Sequence, residues 1–396
     1  MSMPKCLIPI CGSMLLSTVL IGCQTAPTSP TLLQGPELYV EAFNGAAMPV
    51  ESMDEIFALS EAEKNAVRAE MRAATSAQAK TKALLRFIFK SDELPLEYVN
   101  SATLIASETL QRRQANCLSL TILAYALAEE VGFSAVFHEV DIPEFWITDG
   151  QQSRLNGHVN LVIVPPVLSF ENGSVNYSNS RLTVDFDSEN RDRAWPSHAV
   201  SKDEIVAMFY NNKAADALVA GNNQQSFAYL KAAIEIAPNS AQAWSNLAVL
   251  YRKVGLYQQA KESYLFSLQL NPHSMNTMAN LAMLYRLEQQ PEKALALENL
   301  VARKRKLNPY YHLMLGEEAL NAKQTKNAIS HFHQALRLNS GLTPAMLGLA
   351  KSYILEGDID KATRYLQDAR QQSHSTDERD RYESKLKILQ QVAVLH

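Results

Sequence analysis

Residues 241–272 read AQAWSNLAVLYRKVGLYQQAKESYLFSLQLNP, and this stretch decides the fold of the second half of the chain. Small residues such as Ala248 let two antiparallel helices approach closely, while large residues such as Trp244 fill the space between neighbouring helix pairs. Gly255 permits the turn between the two helices, and Pro272 stops the second one. The stretch therefore predicts a helical hairpin.

The same pattern returns with a period of 34 residues. Further units begin at Met275, Pro309 and Thr343, and an earlier, weaker unit ends at Pro238. The period and the residue positions resemble the tetratricopeptide repeat. This resemblance implies an all-α tetratricopeptide-repeat solenoid of five repeats over residues 207–376, closed by a more polar capping helix over residues 377–396.

The resemblance also implies a concave groove, lined by the first helix of each pair, that binds a protein or peptide partner. Residues in the same phase of successive repeats are the candidates for this groove: Asn246 and Asn280, and Arg252 and Arg286. The asparagines could instead make structural hydrogen bonds, and the arginines could lie on a solvated helix face.

One thiol stands out in the first half of the chain. The chain has four cysteines: Cys6, Cys11, Cys23 and Cys117. The first two fall in a predicted secretion signal and the third at a predicted lipidation site, which leaves Cys117 as the thiol of the mature chain. An exported protein keeps such a thiol when it is used or deeply buried. An apolar stripe after Cys117 predicts a buried helix that this residue opens and Gly132 ends.

Three strand-like runs follow that helix, at Ser134 to Val140, His158 to Pro165 and Leu182 to Phe186. Helices followed by antiparallel strands predict an α+β domain. Within residues 75–195, the motifs ANCLSLT, GHVNLVI and TVDFD resemble the transglutaminase-like superfamily of cysteine enzymes. The resemblance implies a transglutaminase-like (papain-like) domain over residues 37–200, with Cys117, His158 and Asp185 as its catalytic residues.

The chemistry of a thiol acyl enzyme suits these residue types. Amides at a helix N-terminus and an imidazolium at His158 would stabilise a thiolate at Cys117, and Asp185 would fix the imidazole tautomer. The thiolate would attack an amide or ester carbonyl, and the acyl group would pass to water or to an amine. The backbone N–H of Cys117 is one oxyanion donor. Gln114 and Asn116 are the side-chain candidates for a second.

Each assignment has an alternative. The cysteine and the histidine could be buried structural residues, and Asp187 competes with Asp185 for the third position. His138 could supply a second basic group or serve the structure. Trp146, in a predicted loop between strands, could line a substrate groove or simply pack there.

The start of the chain resembles a bacterial lipoprotein precursor. An apolar stretch, too short and interrupted for a membrane span, ends in the lipobox-like Leu20-Ile21-Gly22-Cys23. This predicts a lipoprotein signal peptide over residues 1–22, an acylated Cys23 that anchors the chain to the membrane, and a tether over residues 23–36. An ordinary signal peptide cleaved nearby is the alternative. By resemblance to the Gram-negative sorting rule, Gln24 implies the outer membrane and a chain that faces the periplasm.

Charge is distributed unevenly along the chain. Residues 23–206 contain 14 Lys and Arg against 25 Asp and Glu, whereas residues 207–396 contain 22 against 16. The halves could attract each other, or the second half could favour an acidic ligand, or the asymmetry could be ordinary drift of surface charge. The near-neutral total gives no indication of nucleic-acid binding. No cofactor is expected, since the sequence has neither a zinc signature nor a phosphate-binding glycine loop.

Two functions follow from these observations. The first is an envelope lipoprotein whose cysteine acyl-transfer domain hydrolyses or transamidates a protein or peptide substrate recruited by the repeats. The second is a catalytically inert scaffold that assembles envelope complexes through those repeats.

Overall fold

The structure is a computed structural model. It describes residues 33–43, 48–74, 76–89, 96–149, 152–164, 169–171, 174–176, 182–184, 196–373, 379 and 382–387, and of residues 141–149 and 152–157 it describes the backbone. The compact unit considered below begins at Gly35. The predicted signal peptide, Cys23, Asp185 and Asp187 lie outside the described residues.

The first half of the chain is α+β. Its described helices are α1 (Met53–Phe57), α2 (Glu61–Met71), α3 (Ala77–Phe89), α4 (Ala106–Arg112) and α5 (Cys117–Glu130). Its described strands are β1 (Glu97–Tyr98), β2 (Gln114–Ala115), β3 (Ser134–Asp149), β4 (Gln152–Val164), β5 (Ser169–Glu171), β6 (Ser174–Asn176), β7 (Leu182–Val184) and β8 (Ser197–Val200).

An antiparallel sheet with the strand order β7-β4-β3-β8 carries the main core of this half. The alternate residues Val159, Leu161 and Ile163 of β4 are buried, as a strand with one covered face requires. Helix α5 packs on β4 and β3. Because its sequence CLSLTILAYALAEE is apolar on almost every side, the helix is buried along most of its length.

The strands extend further than their sequence suggests. The run predicted to end at Val140 continues as β3 to Asp149, and β4 begins at Gln152 rather than at His158. Trp146 therefore lies in β3, opposite Leu155, and the predicted loop position is wrong. Pro143 hides this extension in the sequence, since proline interrupts a strand pattern unless it falls at an irregular point of the ladder.

The second half consists of helices packed in antiparallel pairs. Their bounds are α6 (Lys202–Val219), α7 (Asn223–Ile236), α8 (Ala241–Lys253), α9 (Tyr257–Leu270), α10 (Met275–Leu287), α11 (Pro291–Lys306), α12 (Pro309–Asn321), α13 (Thr325–Leu338), α14 (Thr343–Leu355) and α15 (Ile359–Gln372). We number the five pairs units 1 to 5. Residues 382–387 are helical, and Tyr382 and Leu386 pack against unit 5.

The helix starts at Ala241, Met275, Pro309 and Thr343 coincide with the starts of the repeating pattern. Helix α6 begins five residues before the predicted start at residue 207. A capping box explains this early start: the N–H of Glu204 donates to Ser201 Oγ at 3.2 Å, and the N–H of Ser201 donates to Glu204 Oε2 at 2.7 Å.

The turn inside each unit uses one left-handed residue at a spacing of 34. These residues are Gly221, Gly255, Gln289, Lys323 and Gly357, with φ between 58° and 83°. Units 3 and 4 thus keep the left-handed turn without glycine, which costs roughly 1–2 kcal/mol at each position. The packing of the helix pair overrides the local preference of Gln289 and Lys323.

One continuous core joins the two halves of the chain, running from Phe43 through α5 and units 1 and 2 to Leu284. Units 4 and 5 have separate, smaller cores. The segment before α1 contributes to the large core, because Phe43 stacks on Phe227 with 4.3 Å between ring centroids and the N–H of Tyr39 donates to Tyr251 Oη at 2.9 Å.

Candidate functional sites

Hydrogen bonds to a preceding loop fix the first turn of α5, where Cys117 lies. Asn116 is the N-cap: its Oδ1 accepts from the N–H of Ser119 at 2.9 Å, and its Nδ2 donates to Thr103 Oγ1 at 2.9 Å. The Ser119 hydroxyl accepts from the N–H of Leu104 at 2.8 Å. The backbone around Cys117 is therefore held from two directions, which leaves its helix N-terminus little freedom to shift.

The next turn of α5 contacts β4 beside His158. Thr121 lies four residues after Cys117, so the two residues share one face of the helix. The Thr121 hydroxyl donates to the carbonyl oxygen of Val159 at 3.3 Å. The thiol and the imidazole thus lie on two elements that touch at this point. Cys117 is 7% exposed and His158 is 1% exposed.

The third predicted position follows the neighbouring strand. Strand β7 pairs with β4 and places Val184 opposite Leu161. Val184 is the residue before Asp185, and Asp185 itself lies outside the described residues. The roles of Cys117, His158 and Asp185 stay predictions.

The two side-chain candidates for the oxyanion hole are bonded elsewhere in this structure. Gln114 donates from Nε2 to Glu97 Oε2 at 3.0 Å. The Asn116 amide caps α5, and its Nδ2 also donates to the carbonyl oxygen of Asn100 at 3.3 Å. Both N–H groups of the Asn116 amide thus have acceptors, so Asn116 would have to release one before it could stabilise an oxyanion. The bond to Glu97 uses one of the two N–H groups of Gln114, and the oxyanion role of either residue stays a prediction.

Arg113 is a buried cation close to Cys117 in the chain. Its Nη1 donates to the carbonyl oxygen of Ile88 at the end of α3, at 2.9 Å, and its own carbonyl accepts from the N–H of Glu97 at 2.8 Å. Burial lowers the pKa of its guanidinium. Arg113 ties α3 to the short strand that leads into Cys117. The sequence gives no indication that Arg113 is buried, since arginine is ordinarily exposed.

Other features of the described residues add little chemistry. His138 on β3 lies beside β8, with its Nδ1 3.3 Å from Ser197 Oγ. Within the part of the chain that the structure describes, no cluster of three His, Cys, Asp or Glu could hold a metal ion. No described helix combines the length and the apolar character needed to cross a bilayer.

The four candidate groove residues have different surroundings. Asn246 donates from Nδ2 to Asn211 Oδ1 at 2.8 Å and so joins the first helices of units 1 and 2. Arg286 donates to both carboxylate oxygens of Glu298, at 2.6 and 2.5 Å. Arg252 Nη1 lies 3.1 Å from Met283 Sδ, and Asn280 is half-buried on α10. The contacts neither support nor contradict a ligand-binding role, so that role stays a prediction for all four residues.

The first helices of the units share one surface on which apolar residues stay exposed. The contact between Arg252 and Met283 shows that their positions face each other across units 2 and 3. Large apolar side chains near the ends of these helices are exposed by 41% or more: Val219, Met283, Leu287, Ile354 and Leu355. We call the surface formed by α6, α8, α10, α12 and α14 the groove face.

Two family models, both described as tetratricopeptide repeat, match residues 241–274 and 319–380. The C-terminal helix pairs are tetratricopeptide repeats. This confirms the predicted all-α solenoid for the second half, and an α+β region precedes it. No curated protein matches the chain.

Solved structures of other repeat proteins overlap with the chain at low identity. A YrrB structure, described as a TPR protein with an unusual peptide-binding site, is 17% identical, covers 45% of this chain and 92% of its own, and has a TM-score of 0.24. PilF of Pseudomonas aeruginosa is 23% identical, with 48% and 94% coverage and a TM-score of 0.27. PilW, a type IV pilus biogenesis factor, is 18% identical, with 48% and 98% coverage and a TM-score of 0.25.

The repeats define the class of partner. Tetratricopeptide arrays expose extended surfaces for other polypeptides, so this half of the chain is a protein-interaction scaffold. The first half adds a buried thiol and a buried imidazole on elements that touch.

Proposed function

We propose that the protein is a lipid-anchored envelope protein in which a cysteine acyl-transfer site acts on a protein or peptide that the repeats recruit. The observation that carries the proposal is the hydrogen bond from Thr121 to the carbonyl of Val159. Thr121 lies one turn after Cys117 on the same face of α5, and Val159 is the strand residue next to His158. The proposal requires the His158 imidazole to reach the Cys117 thiol at this junction, since a thiol at a helix N-terminus with an imidazole partner is the arrangement that activates a cysteine nucleophile.

In the proposed reaction, His158 takes the proton of Cys117, and the thiolate attacks the carbonyl carbon of an amide or ester. A C–S bond forms, and the oxyanion is held by backbone N–H groups of the first turn of α5, which have no partner within the helix. His158 then returns the proton to the leaving amine or alcohol. Water or a second amine then attacks the acyl carbon and gives its proton to His158, the C–S bond breaks, and the proton returns to the sulfur of Cys117. Asp185 would keep the imidazole in the required tautomer.

The remaining parts of the proposal give this chemistry a location and a substrate. A lipid on Cys23 would hold the chain at a membrane of the envelope, with the outer membrane as the expected one. The repeats would raise the local concentration of a bound polypeptide near the thiol, which accelerates a weak intrinsic reaction.

A scaffold without catalysis is the second candidate, and one observation favours it. Cys117 and His158 are 7% and 1% exposed, so a substrate carbonyl reaches the thiol only if the covering elements move. If they do not move, the buried pair serves the fold, and the repeats alone perform the function.

A peptide vinyl sulfone, which alkylates activated cysteines, tests the proposal on the full chain. We expect labelling of the tryptic peptide that contains Cys117, no labelling in Cys117→Ala, and at least tenfold slower labelling in His158→Gln. The matched control is His138→Gln, which makes the same substitution at an imidazole that lies beside Ser197 on β8. Its labelling rate should equal that of the wild type. Labelling of the wild type no faster than that of free cysteine would favour the scaffold.

A further inference from the structure

The distal halves of β3 and β4 form a two-stranded arm that leaves the main sheet. Strand β8 pairs with β3 over Phe137 to Val140, and β7 pairs with β4 over Leu161 to Ile163. Beyond these segments, residues 145–149 and 152–156 pair with each other. We call residues 141–149 together with 152–157 the arm. A two-stranded ribbon is marginally stable alone in water, so the arm depends on the surface against which it lies.

That surface belongs to the repeats. Strand β3 contacts α12, the first helix of unit 4. Nearer its start, Glu139 of β3 lines a cleft of about 430 Å³ together with the first residues of α6, the turn from α7 into α8, and Asn271 after α9. Strand β3 therefore lies beside the N-terminal ends of α6 and α8 at Glu139 and also contacts α12.

The lengths agree with this path. From Glu139 to Asp149, strand β3 spans about 34 Å, at 3.4 Å per residue. Helices packed side by side lie about 8–10 Å apart, so three steps from α6 to α12 need about 24–30 Å. Since Glu139 lies beside α6, the contact with α12 falls on the part of β3 that belongs to the arm.

The join between the arm and the sheet is irregular. Val140 pairs with His158 and Phe145 pairs with Asn156, so four residues on β3 face the single Gly157 on β4. One of the four is Pro143, which has no N–H to donate to the ladder, and Gly157 has no side chain to limit its backbone. The chain can therefore bend at this join. His158 is the first residue of β4 that pairs regularly on the sheet side, so a bend there acts next to the imidazole.

The groove face carries charged as well as apolar side chains where the arm reaches it. Glu317 of α12 is exposed, yet the protein around its carboxyl desolvates it and raises its pKa, and Lys351 on α14 opposes the rise. Met283, Glu317 and Lys351 occupy the same position of successive units. Exposed Leu287 and Leu355 leave apolar surface on both sides of α12 for an incoming chain.

We propose that the arm is an internal strap on the groove face: an extended peptide with apolar side chains competes with it, and its displacement bends the join at His158 and opens the way to Cys117. The strap itself rests on the path of β3. The effect on Cys117 rests in addition on the proposed function.

The path is tested in the full-length chain with its arm intact. Ile147 is replaced by a photoreactive benzoylphenylalanine, and cross-linked tryptic peptides are identified by mass spectrometry in dilute protein. We expect cross-links to residues 309–321. The same photoreactive residue at Val136, on the sheet part of β3, is the matched control and should give none there. Cross-links from position 147 confined to the α+β region, or found between two chains, would overturn the strap.

Competition is tested with a labelled peptide of residues 141–149, DIPEFWITD, as the probe. In a variant with Ile142 to Asn156 replaced by a short Gly-Asn-Gly link, the groove face is open, and we expect at least tenfold tighter binding than to the wild type. A tethered strap acts at an effective concentration of about millimolar, so it should exclude the free peptide. Equal affinity for both chains, or for a scrambled peptide, contradicts the competition. So does binding to neither chain.

A separate measurement tests whether displacement of the arm exposes the Cys117 thiol. Iodoacetamide labelling of the Cys117 peptide should be at least fivefold faster in the arm-shortened variant than in the wild type. An unchanged labelling rate would show that the arm does not control access to Cys117. The cross-links from position 147 would still test whether the arm lies on the groove face. A failed vinyl sulfone test would overturn the enzyme proposal without touching either result. Should the shortened chain not fold, the cross-links and the wild-type rate with and without the peptide decide instead.

Discussion

Units 1 and 2 and units 4 and 5 are built from the same 34-residue pattern, yet they are supported differently. The first two units share one core with α5 and with the segment that contains Phe43. The last two rest on small cores of their own, centred on Phe332 and on Leu366. Repeats that pack mainly on their neighbours unfold locally, whereas repeats fused to a domain unfold with it. The contact between β3 and α12 links unit 4 to the α+β region without merging their cores.

The fused region is anchored by contacts that lie outside the repeat pattern. Glu51, upstream of α1, accepts from Tyr229 Oη at 2.8 Å and pairs with Lys213 at 3.3 Å. Gly35 lies so close to Trp244 that an added Cβ would meet the ring at 2.4 Å. Units 1 and 2 therefore share the core of the α+β region, whereas units 4 and 5 have cores separate from it.

The largest expected effect comes from truncating one aromatic ring in each region. Phe43→Ala and Phe332→Ala should each cost about 3–5 kcal/mol, since both rings are buried. We expect Phe43→Ala to expose α5 and units 1 and 2 together, and Phe332→Ala to expose residues 309–355 alone. Hydrogen exchange followed by mass spectrometry at rising urea reports both. Loss of protection in α5 caused by Phe332→Ala would abolish the distinction between the regions.

A smaller effect is expected from adding one methyl group in each region. In Gly35→Ala the new Cβ meets Trp244, and in Gly316→Ala it meets Phe332 at 2.5 Å. Overpacking costs about 1–3 kcal/mol. Gly316 lies in a helix, where alanine recovers about 1 kcal/mol of helix propensity, so Gly35→Ala should be the more damaging of the pair. Urea midpoints measure the difference, and the reverse order would show that the segment at Gly35 is not an anchor.

The smallest expected effect is a pH dependence confined to the later units. Burial, followed by the nearby His312, lowers the pKa of His331, and burial, followed by Arg337, lowers that of His333. The folded state therefore prefers the neutral rings. Their stabilisation is complete above the ordinary histidine value of about 6.5 and is lost as the pH falls through the lowered values. In the fused region, residues 207–270 contain no histidine, and the α+β region contributes His138, His158 and His198. Replacing His331 and His333 therefore separates their effect from that of these three residues.

Calorimetry at pH 7.5 and 5.5 checks this expectation. The transition of units 4 and 5 should move to lower temperature on acidification, relative to that of the fused region. The double variant His331→Gln, His333→Gln should remove the difference. An equal shift of both transitions, or a shift that survives in the double variant, would place the pH sensitivity elsewhere in the chain.

The helices of the repeat half could be predicted closely because each 34-residue unit carries its own sequence pattern. Helix starts at Ala241, Met275, Pro309 and Thr343 follow from a period that each unit carries by itself. Even Gln289 and Lys323, which look wrong for a turn, adopt the left-handed conformation that the period requires. The position of Cys117 at the start of α5 could be predicted in the same way, because an apolar stripe follows that residue.

The sequence by itself determined the repeats, the buried helix behind Cys117 and the residue types of the candidate site. Only the tertiary structure decided that β3 and β4 extend into an arm, that β3 reaches α12, and that Thr121 joins α5 to the strand of His158. The physical reason is the range of the interactions. Helix periodicity and capping act within a few residues, whereas strand pairing and core fusion depend on partners far away in the chain, which no local pattern encodes.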